Sequence, residues 1–174
     1  MDVGESDGII VADITKDTAD STPAGIGIRY SSGNGFVCGI RNTSSAEFVL
    51  TEISGFSETV RDSAAISGWS ASTTYEVRVV LRGTSFVCEC YEGSTLRATL
   101  EHTSSVNQSA TDHGLRLPGN GSADNFEFWA INTDSSLSSQ SYSSSSSQTN
   151  DNSSSSSVSS ASSLSSQSGG IEPL

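Results

Sequence analysis

From Tyr75 to Arg82 the side chains alternate: Tyr75, Val77, Val79 and Leu81 fall on one face of an extended strand, Glu76, Arg78 and Arg82 on the other. A period of two marks a half-buried strand, and no stretch of the chain spaces apolar residues at the helical period over three turns. The same pattern recurs on both sides. Ile10, Ala12 and Ile14 share one face, with Val11 and Asp13 on the other. Ile26, Ile28 and Tyr30 mark a second strand, and Ser31-Ser32-Gly33-Asn34-Gly35 supplies the positive-φ positions of a hairpin turn into Phe36, Cys38 and Ile40. Further strands are expected near Glu47 to Ile53 and Glu58 to Ala65. Gly83-Thr84 leads into Phe86 to Tyr91, and Glu92-Gly93 into Leu96, Ala98 and Leu100; Asn125 to Ala130 closes the series. About ten short strands with turn signals roughly every 8–12 residues favour an antiparallel β-sandwich.

The pattern stops abruptly. Between Ser135 and Ser168, 22 of 34 residues are serine, and the remaining apolar residues are isolated, so no second core forms there. The chain therefore divides into an acidic lead (1–8), one sandwich domain (9–134) and a Ser-rich tail or stalk (135–174). Ser135-Ser136-Leu137-Ser138-Ser139-Gln140-Ser141 recurs residue for residue at Ser162 to Ser168, and Val158, Ala161, Leu164 and Gln167 fall every third residue. That spacing fits an extended, polyproline-II-like path. Composition favours a solvated linker, and the alternative is a stalk in which three such strings bundle their apolar residues inward.

Charge narrows the partners. The chain carries −12, its one lysine is Lys16, and its last basic residue is Arg116. Such a chain is repelled by phosphate backbones and by anionic membrane surfaces, so nucleic acid is not an expected partner. No run approaches the ~20 apolar residues of a membrane span, and Met1-Asp2-Val3-Gly4-Glu5 lacks the apolar segment of a secretory signal. Cys38, Cys88 and Cys90 have no metal-type spacing. Cys88 and Cys90, two apart on one strand, sit too far from each other for a relaxed disulfide. Buried small hydrophobes are expected, with a Cys38–Cys88 bridge as the alternative.

The segments Ala24-Gly25-Ile26-Gly27-Ile28-Arg29-Tyr30, Gly35-Phe36-Val37-Cys38-Gly39-Ile40, Thr74-Tyr75-Glu76-Val77-Arg78-Val79, Tyr91-Glu92-Gly93 and Asn125-Phe126-Glu127-Phe128 together resemble the concanavalin A-like (laminin-G, lectin and glucanase) jelly-roll domains. The resemblance covers about Ile9 to Ile131 and implies an all-β, antiparallel jelly-roll β-sandwich, followed here by the Ser-rich low-complexity C-terminal tail. It also implies that Trp69 covers the edge of the core. Domains of this kind open with extra strands that this chain lacks, so an open sheet edge is expected, filled by the chain's own tail, by a neighbouring subunit, or trimmed.

Within that superfamily the glucanases carry closely spaced carboxylates in an E-x-D-x-(x)-E pattern on one strand, which this chain does not have. Glu47 and Glu52 point to opposite faces, while Glu76, Glu89 and Glu127 sit on separate strands. His102 and His113 are expected on the surface, and no G-x-S-x-G elbow is present. A non-enzymatic protein without a cofactor is expected. The lectins of the superfamily often hold Ca²⁺ in Asp- and Asn-rich loops; Thr111-Asp112-His113-Gly114 and Asn120-Gly121-Ser122-Ala123-Asp124-Asn125 carry such oxygens, but the same residues are ordinary turn formers.

A sugar-binding surface remains. Trp129 alternates out of phase with Phe126 and Phe128 and should face outward, while Arg29, Arg41 and Arg78 alternate against core residues. If their strands share a sheet, these four form a polar, aromatic face for a glycan or for a partner's carboxylates; otherwise each arginine pairs with a cross-strand glutamate. The expected role is a lectin-like binding or decoration module, self-associated or lattice-bound, on a virion (phage) surface or fibre, with glycans or other surface proteins as partners. The alternative is the carbohydrate-binding domain of a secreted or cell-surface protein joined through a Ser-rich linker.

Overall fold

A computed structural model describes residues 1–16, 20–42, 45–55, 57–118, 121–131 and 141–143. Its strands are β1 (Gly8–Lys16), β2 (Asp20–Ser31), β3 (Asn34–Asn42), β4 (Ala46–Ser54), β5 (Ser57–Ala65), β6 (Thr74–Arg82), β7 (Ser85–Glu92), β8 (Thr95–Thr103), β9 (Gly114–Arg116), β10 (Gly121–Ala130) and β11 (Ser141–Ser143). They form two antiparallel sheets, one ordered β11-β10-β1-β6-β7-β8 and the other β5-β4-β3-β2-β9. Each strand in the interior of the sandwich turns its alternate apolar residues toward the other sheet. Ile10, Ile14, Val79, Leu81 and Phe86 come from the first sheet; Ile26, Phe36, Ile40, Phe48 and Leu50 come from the second. All are buried. Removing each such side chain from water stabilises the fold by about 1.5–3 kcal/mol, which is what fixes the register of the strands.

Cys38, Cys88 and Cys90 are free and buried in this core, so the bridge alternative does not hold. Burial, reinforced by a contact with Cys88, pushes the Cys38 thiol well up, and burial pushes that of Cys90 up to about 12. They fill space as small hydrophobes. Trp69 packs against the core from the side, as the resemblance implied.

The first hairpin closes through Ser32 (φ 51) and Gly33 (φ 80), the paired positive angles that match the twist of the flanking strands. Just before it, the regular alternation breaks. Ile28 pairs with Phe36 and Ser31 with Asn34, so Arg29 and Tyr30 face Gly35 alone, a β-bulge. Arg29 takes φ 50, and a Cβ at Gly35 would lie 3.0 Å from Tyr30. The extra residue inverts the facing: Tyr30, expected inside, is 43% exposed, and Arg29, expected outside, is completely buried.

The acidic lead is fastened over this corner. Met1 and Val3 bond to the backbone of His113 and Thr111, and Asp7 takes Gly83 N–H at 2.6 Å while pairing with Arg29 Nη2 at 3.0 Å. His113, expected on the surface, is 1% exposed. Its Nδ1 accepts Arg29 N–H at 3.3 Å, which leaves Nε2–H to donate to Glu5 O at 3.2 Å, and its ring stacks on Phe128. Burial pushes its pKa down to about 4, so the ring is neutral.

β1 lies inside its sheet rather than at an edge, because β10 pairs on its free side. The outer edge of β10 is in turn covered over three residues by β11, drawn from the Ser-rich segment. The chain thus supplies part of the expected edge cover itself. The repeat copy at 162–168 and the three-residue periodicity lie outside the described residues.

Candidate functional site on the six-stranded sheet

The register of the six-stranded sheet arranges its outer face in rows. One row runs Trp129–Ile9–Val80–Val87 and is apolar. The next runs Glu127–Val11–Arg78–Glu89, and a third brings Asp13 against Glu76, followed by Tyr91. These side chains are all half-buried, and most of them line an open groove of about 550 Å³. A second bulge sets this face. Between the pairs Val11–Glu127 and Asp13–Asp124, β10 carries the extra residues Asn125 and Phe126 against Ala12 alone, with Asn125 at φ 52. It brings Glu127 and Trp129 outward while Phe128 stays in the core.

The polar groups are held in place before any ligand arrives. Arg78 Nη2 donates to Glu76 Oε1 at 3.0 Å, and its guanidinium lies 5.3 Å from the centre of the Tyr91 ring. Tyr91 donates its hydroxyl to Glu89 Oε2 at 3.0 Å, and that bond to a carboxylate raises the pKa of the phenol, keeping it a donor. Asn125 Nδ2 donates to Asp13 Oδ2 at 2.7 Å. An aromatic and aliphatic strip thus borders a ladder of fixed planar polar groups.

Of the four side chains singled out in the sequence, two meet here: Trp129 and Arg78. Arg41 does not. It lies on β3 in the other sheet and pairs with Glu47 across the strands at 2.7 Å. Arg29 does not either, because the bulge turns it into the interior, where its guanidinium sits 4.9 Å from the centre of the Phe86 ring. The four-residue face is thereby corrected to one arginine, joined by Glu76, Glu89, Glu127, Asp13 and Tyr91. The outward alternation of Glu76, Glu89 and Glu127 was visible in the sequence, but strand order, which puts β10, β1, β6 and β7 side by side, was not.

Among the described residues no group of three His, Cys, Asp or Glu side chains is placed to hold a metal ion. The 111–114 segment is engaged instead with the lead, and Thr111 Oγ1 donates to Asp2 Oδ1 at 2.6 Å. Asn120 lies outside the described residues.

No protein-family model matches the sequence, and no curated protein matches it either. Solved structures do. The GH43 protein BlXynB of Bacillus licheniformis superposes with a TM-score of 0.52 at 14% identity, over 71% of this chain and 26% of that one. The carbohydrate-binding module CBM66 of Bacillus subtilis gives 0.47 at 14% identity over 63% of this chain and 64% of the other. The enzymatically active domain of tailspike protein 2 of bacteriophage CBA120 gives 0.46 at 10% identity over 74% and 23%. The chain spans just under two thirds of the carbohydrate-binding module and about a quarter of the other two. This is a concanavalin A-like jelly-roll sandwich. At these identities the likeness concerns the fold alone; what the domain does has to be argued from its own surface.

Proposed function

We propose that this jelly-roll domain is a non-enzymatic glycan-binding module, and that its groove on the six-stranded sheet receives a saccharide chain. The observation that carries the reading is the row of Trp129, Ile9 and Val80 lying beside Glu127, Arg78 and Glu89. Sugar rings present apolar C–H faces and a rim of hydroxyls, and this surface offers both complements side by side. Four carboxylates (Asp13, Glu76, Glu89 and Glu127) stand against the single guanidinium of Arg78 in the groove. That balance selects neutral or amino sugars and repels uronates and sulfated chains.

The carboxylates bind rather than cleave. Glu76 is occupied by Arg78, Glu89 by Tyr91 and Asp13 by Asn125. Glu127 is separated from Glu89 by two intervening strands, about 14 Å at the usual strand spacing, beyond the reach of either glycosidase geometry. The Ser-rich tail leaves the domain beside this face, since β11 pairs with the strand that carries Trp129. We take the tail to tether the module to a larger surface assembly, of the virion-fibre kind, so that the groove faces outward from it.

Calorimetric titration with neutral polysaccharides tests the site. Trp129→Ala should weaken binding at least about tenfold, or 1.4 kcal/mol, with little change in melting temperature. Undiminished binding would remove this face from consideration. Release of reducing sugar that is lost on Glu76→Gln would overturn the non-enzymatic reading. Native mass of the chain with and without residues 144–174 tests the assembly role, which predicts association only in the longer form.

A further inference from the structure

The opposite face of the sandwich carries a cavity that the reading above does not use. It holds about 640 Å³ on the outer side of the five-stranded sheet, with Gly27, Val37 and Ile53 on the strands and Tyr30, Asp112, Glu58 and Arg116 around them. Three observations indicate that it is shaped for a ligand. Gly27 is a glycine with no backbone reason to be one: its φ is not positive, and an added Cβ would meet nothing nearer than Gly114 O at 3.7 Å. Its missing side chain leaves space. Tyr30 borders that space, 43% exposed, only because Arg29 holds a left-handed conformation that costs a non-glycine residue about 1–2 kcal/mol. Arg29 is kept there by His113, which accepts its N–H, and by Asn107 Nδ2, which donates to its carbonyl at 3.2 Å. Strain fixed from two sides is characteristic of binding sites. Thirdly, Arg116 is anchored by an ion pair with Glu58, yet its Nη1 is buried with no hydrogen-bond partner among the described residues.

We propose that this cavity is a second saccharide site, which takes a single neutral sugar unit, a chain end or a branch, so that the module binds glycan on both outer faces. Tyr30 offers an aromatic surface to the ring, Arg116 Nη1 a donor, and Glu58 and Asp112 acceptors for hydroxyls. Two carboxylates against one guanidinium leave no attraction for an anionic sugar. A cavity of this volume accommodates one or two rings rather than a long chain. The ligand class rests on the glycan reading of the domain, but the site does not depend on Trp129.

The test is amide and aromatic NMR on the full 174-residue chain, titrated to saturation with D-glucose, D-galactose, D-mannose, D-xylose and N-acetyl-D-glucosamine. At least one should move the Gly27, Gly114 and Arg116 amides together with the Tyr30 ring. Gly27→Leu, which fills the cavity, and Tyr30→Ala, an exposed change that preserves the core, should each weaken that response at least about tenfold. Trp129→Ala should leave it unchanged. If Gly27→Leu does not fold, Tyr30→Ala decides. Shifts confined to Ile9, Arg78 and Trp129 would overturn the second site and leave the proposed function standing. Shifts confined to the cavity would keep the second site and overturn the Trp129 face. No shift at the cavity with any of the five sugars, or changes there that follow protein concentration without sugar and so report a second copy, would overturn the proposal.

Discussion

The centre of the six-stranded sheet and the corner around Arg29 are stabilised in opposite ways. In β1, β6 and β7 an unbroken two-residue alternation buries apolar side chains and turns charged ones outward. At the corner, a guanidinium, an imidazole and a carboxylate are drawn inside, each held by specific hydrogen bonds. The first region is robust because burial is non-directional and shared among many contacts. The second depends on each partner being present, because a buried charge without its counter-ion has no compensation.

Asp7→Asn should show the contrast most sharply. It leaves Arg29 charged and buried without its partner, and a loss of about 3–5 kcal/mol is expected in urea unfolding. A loss below that of an ordinary surface change would mean that the corner is not held by the pair. Leu81→Ala, in the regular sheet, should cost about 2–5 kcal/mol by leaving a cavity, with the site face and the lead unchanged in NMR spectra.

Lowering the pH separates the two regions without mutation. His113 titrates at 6.5 when unfolded and at about 4 when folded, so between those values only the unfolded chain takes up the proton. Stability from this group is complete above 6.5, falls as the pH drops from 6.5 to 4, and is constant below, a total of up to about 3 kcal/mol. The urea midpoint measured across that window should fall less steeply in His113→Gln than in the parent; equal slopes would break the assignment. The smallest effect belongs to Arg78→Gln. Its half-exposed pair with Glu76 should be worth less than about 1 kcal/mol to folding, while glycan affinity falls.

Much of this was legible in the sequence. Strict alternation placed Ile10, Val77, Val79, Leu81 and Phe86 in the core and Trp129 and Arg78 outside, because apolar burial enforces a two-residue register wherever one face is covered. The rule failed at Arg29 and Tyr30, where a bulge opposite Gly35 shifts the phase by one. The bare presence of Gly35 was the available signal, and it was absorbed into the hairpin turn. His113 was misplaced for a related reason: its buried setting is built by residues 1–7, over a hundred positions away in sequence.

The Ser-rich boundary, the absence of helical periodicity and the acidic balance followed from the residues alone, since composition and period fix what kind of core a chain can form. Strand order did not. Which outward side chains share a face depends on which strands are neighbours, and only the packed sheets bring Trp129, Arg78, Glu89 and Glu127 together while sending Arg41 to the opposite side. Local spacing determines the direction in which a side chain points; long-range pairing determines what stands beside it.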